Sequence, residues 1–183
     1  SPAPEWEAPV DEMIENIAKN QREDGYFNSY FLSVEPAKIF TERHWHELYC
    51  LGHAIEAAIA YHKATGKDKL LNCVTKNVDM VYRMFIEEQS ASFVTPGHEE
   101  IELALLKLYD YLGNQKYLEL ARFFIDQRGN NAIEDKTTYL QDNVPVREID
   151  EAVGHAVRAG YLYTAMERLA AIDRDETLQT ACD

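Results

Sequence analysis

A chain of 183 residues, of which 46% are hydrophobic, can bury the core of one globular domain. Asp and Glu outnumber Lys and Arg by 32 to 18, and the net charge of -14 argues against nucleic acid as a partner, because phosphate binding needs clustered cations. No apolar run is long enough to span a membrane, so we expect no membrane partner.

The three cysteines, Cys50, Cys73 and Cys182, are scattered and odd in number. This pattern predicts reduced, mostly buried thiols rather than a disulfide framework. Reduced thiols, together with the lack of a secretory segment, favour the cytoplasm. The opening segment SPAPEWEAP is interpreted as a ragged tail, and a longer parent protein would hide the true N-terminus, so the compartment stays open.

Apolar residues recur at helical spacing along most of the chain, and few strand signals are present. Turn residues such as Asp24-Gly25, the TGKD run and Pro96-Gly97 separate the helical segments. A last helix has barely begun when the sequence ends. The other expected helices are, in chain order, Val10–Asn20, His46–Ala64, Lys69–Glu87, His98–Leu112, Lys116–Gln127 and Ile149–Ile172.

Helices of two kinds alternate along the chain. The segments that start at His46, His98 and Ile149 are apolar on several faces, whereas those that start at Lys69 and Lys116 carry one apolar stripe. A helix that is apolar all round is buried, and a striped helix covers a surface. The alternation therefore predicts an inner and an outer layer, as in an α/α toroid, with a solenoid of helical hairpins as the competing architecture.

The number of hairpins predicts an incomplete toroid. A closed ring of six hairpins needs more residues than the sequence contains. The predicted helices amount to one leading helix and three hairpins, of which the last is unfinished. We therefore expect an all-α fold in which residues 1–183 form a single toroid fragment. An open ring would expose apolar inner faces, so we also expect homo-oligomerisation or poor solubility.

A histidine opens each predicted inner helix, at His46, His98 and His155. Intervals of 52 and 57 residues separate the three, as expected for one hairpin per repeat. Parallel inner helices would gather these imidazoles at one mouth, where they could donate and accept hydrogen bonds from a sugar. His53 lies two turns after His46 on nearly the same face, so periodicity alone leaves open which of the two reaches the mouth.

Other kinds of site have weaker support in the sequence. A single histidine at a helix start is often only a cap, although three recurrences argue against that interpretation. HELYC has Cys50 where the zinc-protease motif HExxH has its second histidine, so we predict no metal site here. Glu47, Glu99, Glu100 and Glu102 lie near inner-helix starts, but no acid/base pair can be assigned without distances, and we predict no catalytic residue.

Four runs in order resemble one family, the bacterial β-L-arabinofuranosidases of glycoside hydrolase family 127. The runs are QREDGYFNSYF, HELYCLGHAIEAAIAYHKATGKDKLL, PGHEEIELALLKLYDYLGNQKYLELARFFIDQRG and PVREIDEAVGHAVRAGYLYTAM. The resemblance implies part of an (α/α)6-barrel catalytic domain, with further N-terminal and C-terminal parts outside this chain. It also implies removal of terminal L-arabinofuranose from plant-type glycans with retention of configuration.

The resemblance assigns sugar binding to His46, His98 and His155, and so favours His46 over His53. It also implies a cysteine nucleophile, a zinc ion bound by cysteines and a glutamate, and a glutamate acid/base. Those motifs are not matched by this chain, so we expect no cofactor here and an inactive isolated chain. Asn143 stands where a histidine is expected before PVRE. The alternatives are a non-catalytic helical-repeat binding protein and another α/α-barrel sugar enzyme, such as a uronyl hydrolase or an epimerase.

Overall fold

Every regular element in the described range is helical. The computed structural model describes residues 4–183, and Pro4 by its backbone alone; residues 1–3, which belong to the segment expected to be a tail, lie outside the described residues. The α-helices are α1 Pro4–Asn20, α2 Ser29–Ser33, α3 Glu47–Thr65, α4 Lys69–Tyr82, α5 Ile101–Leu112, α6 Gln115–Gln127, α7 Ala156–Asp173 and α8 Glu176–Cys182. A π-helical turn, Arg83–Glu87, continues α4, and the short 3-10 turns are Pro36–Lys38, Thr138–Leu140 and Val146–Glu148.

The helices form two layers, as the alternation predicts. Helix α5 packs between α3 and α7 in the inner layer, and each of these three pairs with the helix that follows it, α4, α6 or α8. The outer helices α4 and α6 also touch, and α1 packs against α4. The prediction of an all-α fold built from α/α hairpins is confirmed. Within the described residues, no helix combines the length and apolarity that crossing a membrane requires.

The inner helices differ in how completely they are buried. The first eight residues of α5 are buried except for Lys107, because the helix has α3 and α7 on its flanks and α6 behind it. Helices α3 and α7 instead bury one face each, and Cys50 and Val157 lie on their exposed sides. All-round apolarity therefore predicts burial correctly for α5, whereas α3 and α7 have fewer neighbours among the described residues.

Three helices begin at other residues than periodicity predicts. Helix α1 starts at Pro4, six residues before Val10, and its first turn contains Glu5 and Glu7, which the helix dipole favours there. Helix α5 starts at Ile101 and α7 at Ala156, each later than predicted. The residues before α5 and α7 form tight turns whose backbone hydrogen bonds go to other loops, so they cannot continue the helical ladder.

A capping aspartate determines where the last helix begins, and it supports a stability prediction. Asp175 accepts hydrogen bonds of 3.0 Å from the backbone N–H groups of Thr177 and Leu178, and pairs with Arg147 at 2.8 Å. We expect Asp175→Ala to lower the free energy of unfolding by about 1–2 kcal/mol in urea denaturation. Asp150→Ala, at an exposed position, is the control and should change it by less than about 0.5 kcal/mol; equal effects would contradict the prediction.

The same aspartate should make stability depend on acid pH. Hydrogen bonds from Thr177 and Leu178, together with Arg147, hold the pKa of Asp175 well below its usual range. A depressed carboxyl pKa contributes stability above the unfolded-state value of about 3.9, and that contribution is lost as the pH falls towards the folded value. The difference between wild type and Asp175→Ala should therefore shrink as the pH is lowered below about 4.

Candidate functional site

The three predicted histidines lie together at one end of the inner layer. The ring centroids of His46 and His98 are 5.6 Å apart, and those of His98 and His155 are 6.1 Å apart. His46 is exposed, while His98 and His155 are half-buried. We call these three residues the histidine cluster. The competing solenoid would spread them along an edge, whereas consecutive rings here are close enough to face one small ligand.

The three histidines do not occupy equivalent positions in their helices. His46 and His155 are the N-cap residues of α3 and α7. His98 instead lies in the turn before α5, two residues ahead of the N-cap Glu100. The expectation that each inner helix opens on a histidine is therefore right for two helices and wrong for α5, although all three rings still converge.

Two tyrosines join the histidine cluster. The ring of Tyr49 lies 4.3 Å from that of His98 and 5.6 Å from that of His46. Tyr161, on α7, lies 6.3 Å from His98. Sequence reasoning missed Tyr161. Its spacing from His155 gives no signal that could have found it, because side chains on one face of a helix recur at three, four or seven residues and not at six.

His53 lies deeper along α3 than the histidine cluster. Its ring neighbours are Tyr49 at 4.5 Å and Tyr161 at 6.0 Å. His46 contacts His98 directly, whereas His53 reaches the cluster through these tyrosines. The geometry therefore favours His46 at the mouth, in agreement with the resemblance, and leaves His53 free for another role.

Glycines allow the turns that carry His98 and His155 to approach other loops. A Cβ atom on Gly97 would lie 2.3 Å from the carbonyl oxygen of Arg43, and the Gly97 N–H donates to that same oxygen at 3.0 Å. Gly154 has φ of +74°, and a Cβ atom there would lie 2.0 Å from the carbonyl oxygen of Thr138. Only glycine fits such approaches, which explains the glycine before the histidine in both motifs.

Side chains from the first turn of α7 and from the 138–142 loop bond to the turns that carry His98 and His155. Arg158 donates from Nε to the carbonyl of Gly97 at 3.0 Å, and its guanidinium lies 4.7 Å from the ring of Tyr139. Gln141 donates from Nε2 to the carbonyls of Val153 at 2.8 Å and of His155 at 3.3 Å. The two turns are thereby linked to each other, which maintains the distance between His98 and His155.

A buried arginine lies beneath the turn that contains His98. Arg128 is fully buried, and it forms ion pairs with Glu99 at 2.9 Å and with Glu102 at 3.2 Å. It also donates to the carbonyls of Pro96 at 2.8 Å and of Leu140 at 2.9 Å. The Arg128 guanidinium thus bonds to residues before and after His98 and to the 138–142 loop. It therefore fixes the path of the chain on either side of His98.

A second buried polar group connects the loop before His46 to the rest of the site. Arg43 pairs with Asp142 at 2.9 Å and with Glu134 at 3.5 Å, and donates to the Thr95 hydroxyl at 2.9 Å. Burial opposes ionisation of Glu134, but hydrogen bonds from the hydroxyl and N–H of Thr95 outweigh it and lower its pKa. The loops that carry His46 and His98 are thus fixed to a common ionised network.

Neighbouring groups determine which ring nitrogen carries the proton in His98 and in His155. Nδ1 of His98 lies 2.8 Å from the carbonyl oxygen of Glu99, which can only accept, so Nδ1 is protonated and Nε2 is a hydrogen-bond acceptor. Burial lowers the pKa of His98, so the ring is neutral near pH 7. Nδ1 of His155 accepts from the N–H of Arg158 at 3.4 Å, which leaves Nε2–H as a donor. The cluster therefore offers both an acceptor and a donor.

The glutamates that the sequence left unassigned differ in their environments. Burial raises the pKa of Glu99 to about 7, although Arg128 opposes the shift. Burial, with Glu56 as a further repulsive charge, raises the pKa of Glu100 to about 8. Glu47 is fixed structurally, since it accepts from the Tyr26 hydroxyl and from the Phe40 N–H at 3.0 Å.

The cysteines of the described residues do not fit the cysteine-bound zinc that the resemblance implies. Cys50, Cys73 and Cys182 lie on α3, α4 and α8, and none belongs to a group of closely spaced His, Cys, Asp or Glu ligands. Desolvation raises the pKa of each thiol, in the case of Cys182 to about 11 and only through partial burial in the case of Cys50, so the nucleophilic thiolate is disfavoured at neutral pH. We derive no chemical step through zinc in this chain.

The two layers of α/α hairpins place this chain in the class of helical-toroid folds, and the histidine cluster lies at one end of the inner helices. Over residues 1–183 the chain matches the family model described as "Beta-L-arabinofuranosidase, GH127 catalytic domain". This chain belongs to that family, the catalytic domains of glycoside hydrolase family 127, as its resemblance to them predicted.

The similar proteins are much longer than this chain. It is 35% identical to the non-reducing end β-L-arabinofuranosidase of Bifidobacterium longum subsp. longum, in a match that covers 97% of this chain and 30% of the relative. The crystal structure of a GH127 β-L-arabinofuranosidase from Geobacillus stearothermophilus T6 is 43% identical, with a TM-score of 0.90 over 98% of this chain and 31% of that one. A GH127 β-arabinofuranosidase of known structure is 36% identical, with a TM-score of 0.84 over 98% of this chain and 30% of that one.

Proposed function

We propose that this chain forms the sugar-contacting part of a retaining β-L-arabinofuranosidase that removes terminal L-arabinofuranose from plant-type glycans. In this proposal His46, His98 and His155 hydrogen-bond the terminal sugar. The main support for this proposal is the convergence of the three imidazoles. The ring centroids of His46 and His98 are 5.6 Å apart, and those of His98 and His155 are 6.1 Å apart. The similar proteins from Bifidobacterium longum and Geobacillus stearothermophilus are β-L-arabinofuranosidases, which supports the choice of sugar.

The chemistry of the histidine cluster suits a polyhydroxylated ligand. Each sugar hydroxyl both donates and accepts, and the cluster has an acceptor at Nε2 of His98 and a donor at Nε2 of His155. Tyr49 adds an aromatic ring 4.3 Å from His98, of the kind that packs against the apolar face of a sugar. Neutral imidazoles are preferable to charged ones here, because they can accept as well as donate.

The proposal separates sugar binding from bond cleavage. The chain spans about 30% of the curated relative that it matches. We propose that the nucleophile, the acid/base and the zinc ligands belong to other parts of a longer protein, and that residues 1–183 alone bind the sugar without hydrolysing it. An aryl β-L-arabinofuranoside should therefore release no aryl alcohol with this chain; turnover that Cys50→Ala abolishes would overturn the assignment.

Binding of L-arabinose to the chain tests the role of the histidine cluster. We expect saturation-transfer NMR to detect weak binding, with a dissociation constant on the order of millimolar, because one small sugar makes few contacts. His98→Ala should weaken binding at least about tenfold, since it removes a hydrogen-bond acceptor from the site. His62→Ala is the matched control, because His62 bonds to Tyr111 at the far end of α3. Equal binding by wild type and His98→Ala would contradict the proposal.

The alternative of a non-catalytic helical-repeat binding protein makes a different prediction. A repeat protein would present its ligand surface along the edge of the stack, so substitutions in the histidine cluster would leave glycan binding intact. The homo-oligomer expected from the sequence also stays a prediction. Sedimentation would test it, and a cooperative, well-behaved monomer would count against an open toroid with an uncovered inner face.

A further inference from the structure

We propose that His53, Glu56 and Glu100 form a binding site for a divalent transition-metal cation such as Zn²⁺, outside the histidine cluster. The site has no cysteine ligand and so differs from the zinc that the family resemblance implies. It does not rest on the proposed function, because none of the three residues is assigned to the sugar. The ligand set is contributed by two neighbouring inner-layer segments, α3 and the N-cap of α5.

The ligand atoms already converge on one point. Nδ1 of His53 lies 3.8 Å from Oε1 of Glu100 and 3.9 Å from Oε2 of Glu56, and one ligand atom of each residue lies within 4.8 Å of the others. Two ligands of a tetrahedral zinc ion, at about 2.1 Å from the metal, are separated by about 3.4 Å. Small side-chain adjustments would therefore bring the three groups to bonding distance.

Glu100 is the second, independent indication of a ligand. Its side chain is fully buried, and neither carboxylate oxygen has a hydrogen-bond partner among the described residues. The neighbouring Glu99 and Glu102 both pair with Arg128, whereas Glu100 faces the ring of His53, whose Nδ1 lies 3.8 Å from its Oε1. A buried carboxylate without a partner is costly, and a bound cation would remove that cost.

The backbone of α3 leaves room for this carboxylate. A Cβ atom on Gly52 would lie 1.4 Å from Oε2 of Glu100, so the carboxylate occupies the space that a side chain at position 52 would fill. Gly52 is also the residue directly before His53. The absence of a side chain at this helix position thus allows Glu100 to approach the imidazole.

Charge and access also suit a divalent cation. Glu56 uses Oε1 to pair with Lys107, which leaves Oε2 directed to His53. When Glu100 gives up its proton to bind the cation, two carboxylates opposed by one lysine leave an excess negative charge at the site. His53 is 41% exposed, so a hydrated cation can reach it, and a fourth coordination position would face solvent. An imidazole with two carboxylates favours Zn²⁺ over Ca²⁺ or Mg²⁺, which prefer oxygen ligands in greater number.

Calorimetric titration of the tag-free chain with ZnCl₂ tests the site. We expect one equivalent to bind wild type, and His53→Gln and Glu100→Gln each to weaken binding at least about tenfold. Cys50→Ala and His62→Gln are the matched controls and should bind zinc as wild type does, because Cys50 is one turn away on the same helix and His62 is further along it. Controls that lose binding would overturn the assignment of ligands.

Thermal melting separates loss of the metal from loss of the fold. Without metal, Glu100→Gln should melt at or above the wild-type temperature, because it replaces a buried carboxyl group that has no hydrogen-bond partner with a neutral amide of the same size. Excess ZnCl₂ should raise the melting temperature of wild type by several degrees and leave that of Glu100→Gln unchanged. Wild type that binds no zinc, or both glutamine variants binding it as tightly as wild type, would refute the site.

Discussion

Replacement of Arg128 by methionine should lower the free energy of unfolding by about 3–5 kcal/mol. Methionine fills part of the same volume but leaves Glu99 and Glu102 buried without their common cation. The carbonyl groups of Pro96 and Leu140 also lose a buried donor. Each loss removes a partner from a group that water cannot reach, which is why the cost exceeds that of an ordinary hydrogen bond.

Urea denaturation followed by circular dichroism measures this effect, and Arg122, on the helix that ends directly before Arg128, is a matched control. Arg122 pairs with Asp173 at 2.7 Å, but its side chain is 35% exposed. Water therefore solvates whichever partner remains, and Arg122→Met should cost less than about 1 kcal/mol. If the two variants were equally stable, the buried network around Arg128 would contribute no more than a surface pair, contrary to our interpretation.

Replacement of Gly154 by alanine should lower the free energy of unfolding by about 2–4 kcal/mol. Part of this cost is the left-handed backbone, with φ of +74°, and part is the overlap between the new Cβ atom and the carbonyl oxygen of Thr138, 2.0 Å away. Relief of the overlap would move the turn that carries His155. Binding of L-arabinose should therefore weaken more than the loss of folded protein alone explains.

Gly113 separates the two contributions. It has φ of +73° at the end of α5, but no atom lies within 4 Å of the position that its Cβ would take. Gly113→Ala should cost about 1 kcal/mol, the strain of the backbone alone. Chemical denaturation of both variants gives the difference that we ascribe to the close approach. A Gly154→Ala variant as stable as Gly113→Ala would show that the turn and the 138–142 loop separate at little cost.

Local patterns in the sequence were sufficient for the helical architecture. Apolar spacing predicted the hairpins, and Gly66 and Gly113 end α3 and α5 in the left-handed conformation that glycine adopts readily. These features depend on residues within a few positions of one another. The family was recognisable for a similar reason, because its motifs are short runs that can be read without distances, and the comparisons confirmed it.

Helix starts were predicted less well, because tertiary contacts determine them. The apolar pattern from Ile149 onwards suggests a helix, yet α7 begins only at Ala156. The intervening backbone bonds to other loops: the N–H of His155 donates to the carbonyl of Tyr139. No local propensity reveals such a partner, so the sequence could place His98 and His155 near helix starts but not in their turns.

The sequence by itself determined that the fold is helical, which histidines recur and which family the chain resembles. Only the tertiary structure decided which charges meet. Glu99, Glu100 and Glu102 are equivalent acidic residues in the sequence, but Arg128 pairs with the first and third, and Glu100 turns instead to His53 on another helix. Helix formation depends on neighbours along the chain, whereas the environment of a buried charge depends on the residues that folding brings to it from far along the chain.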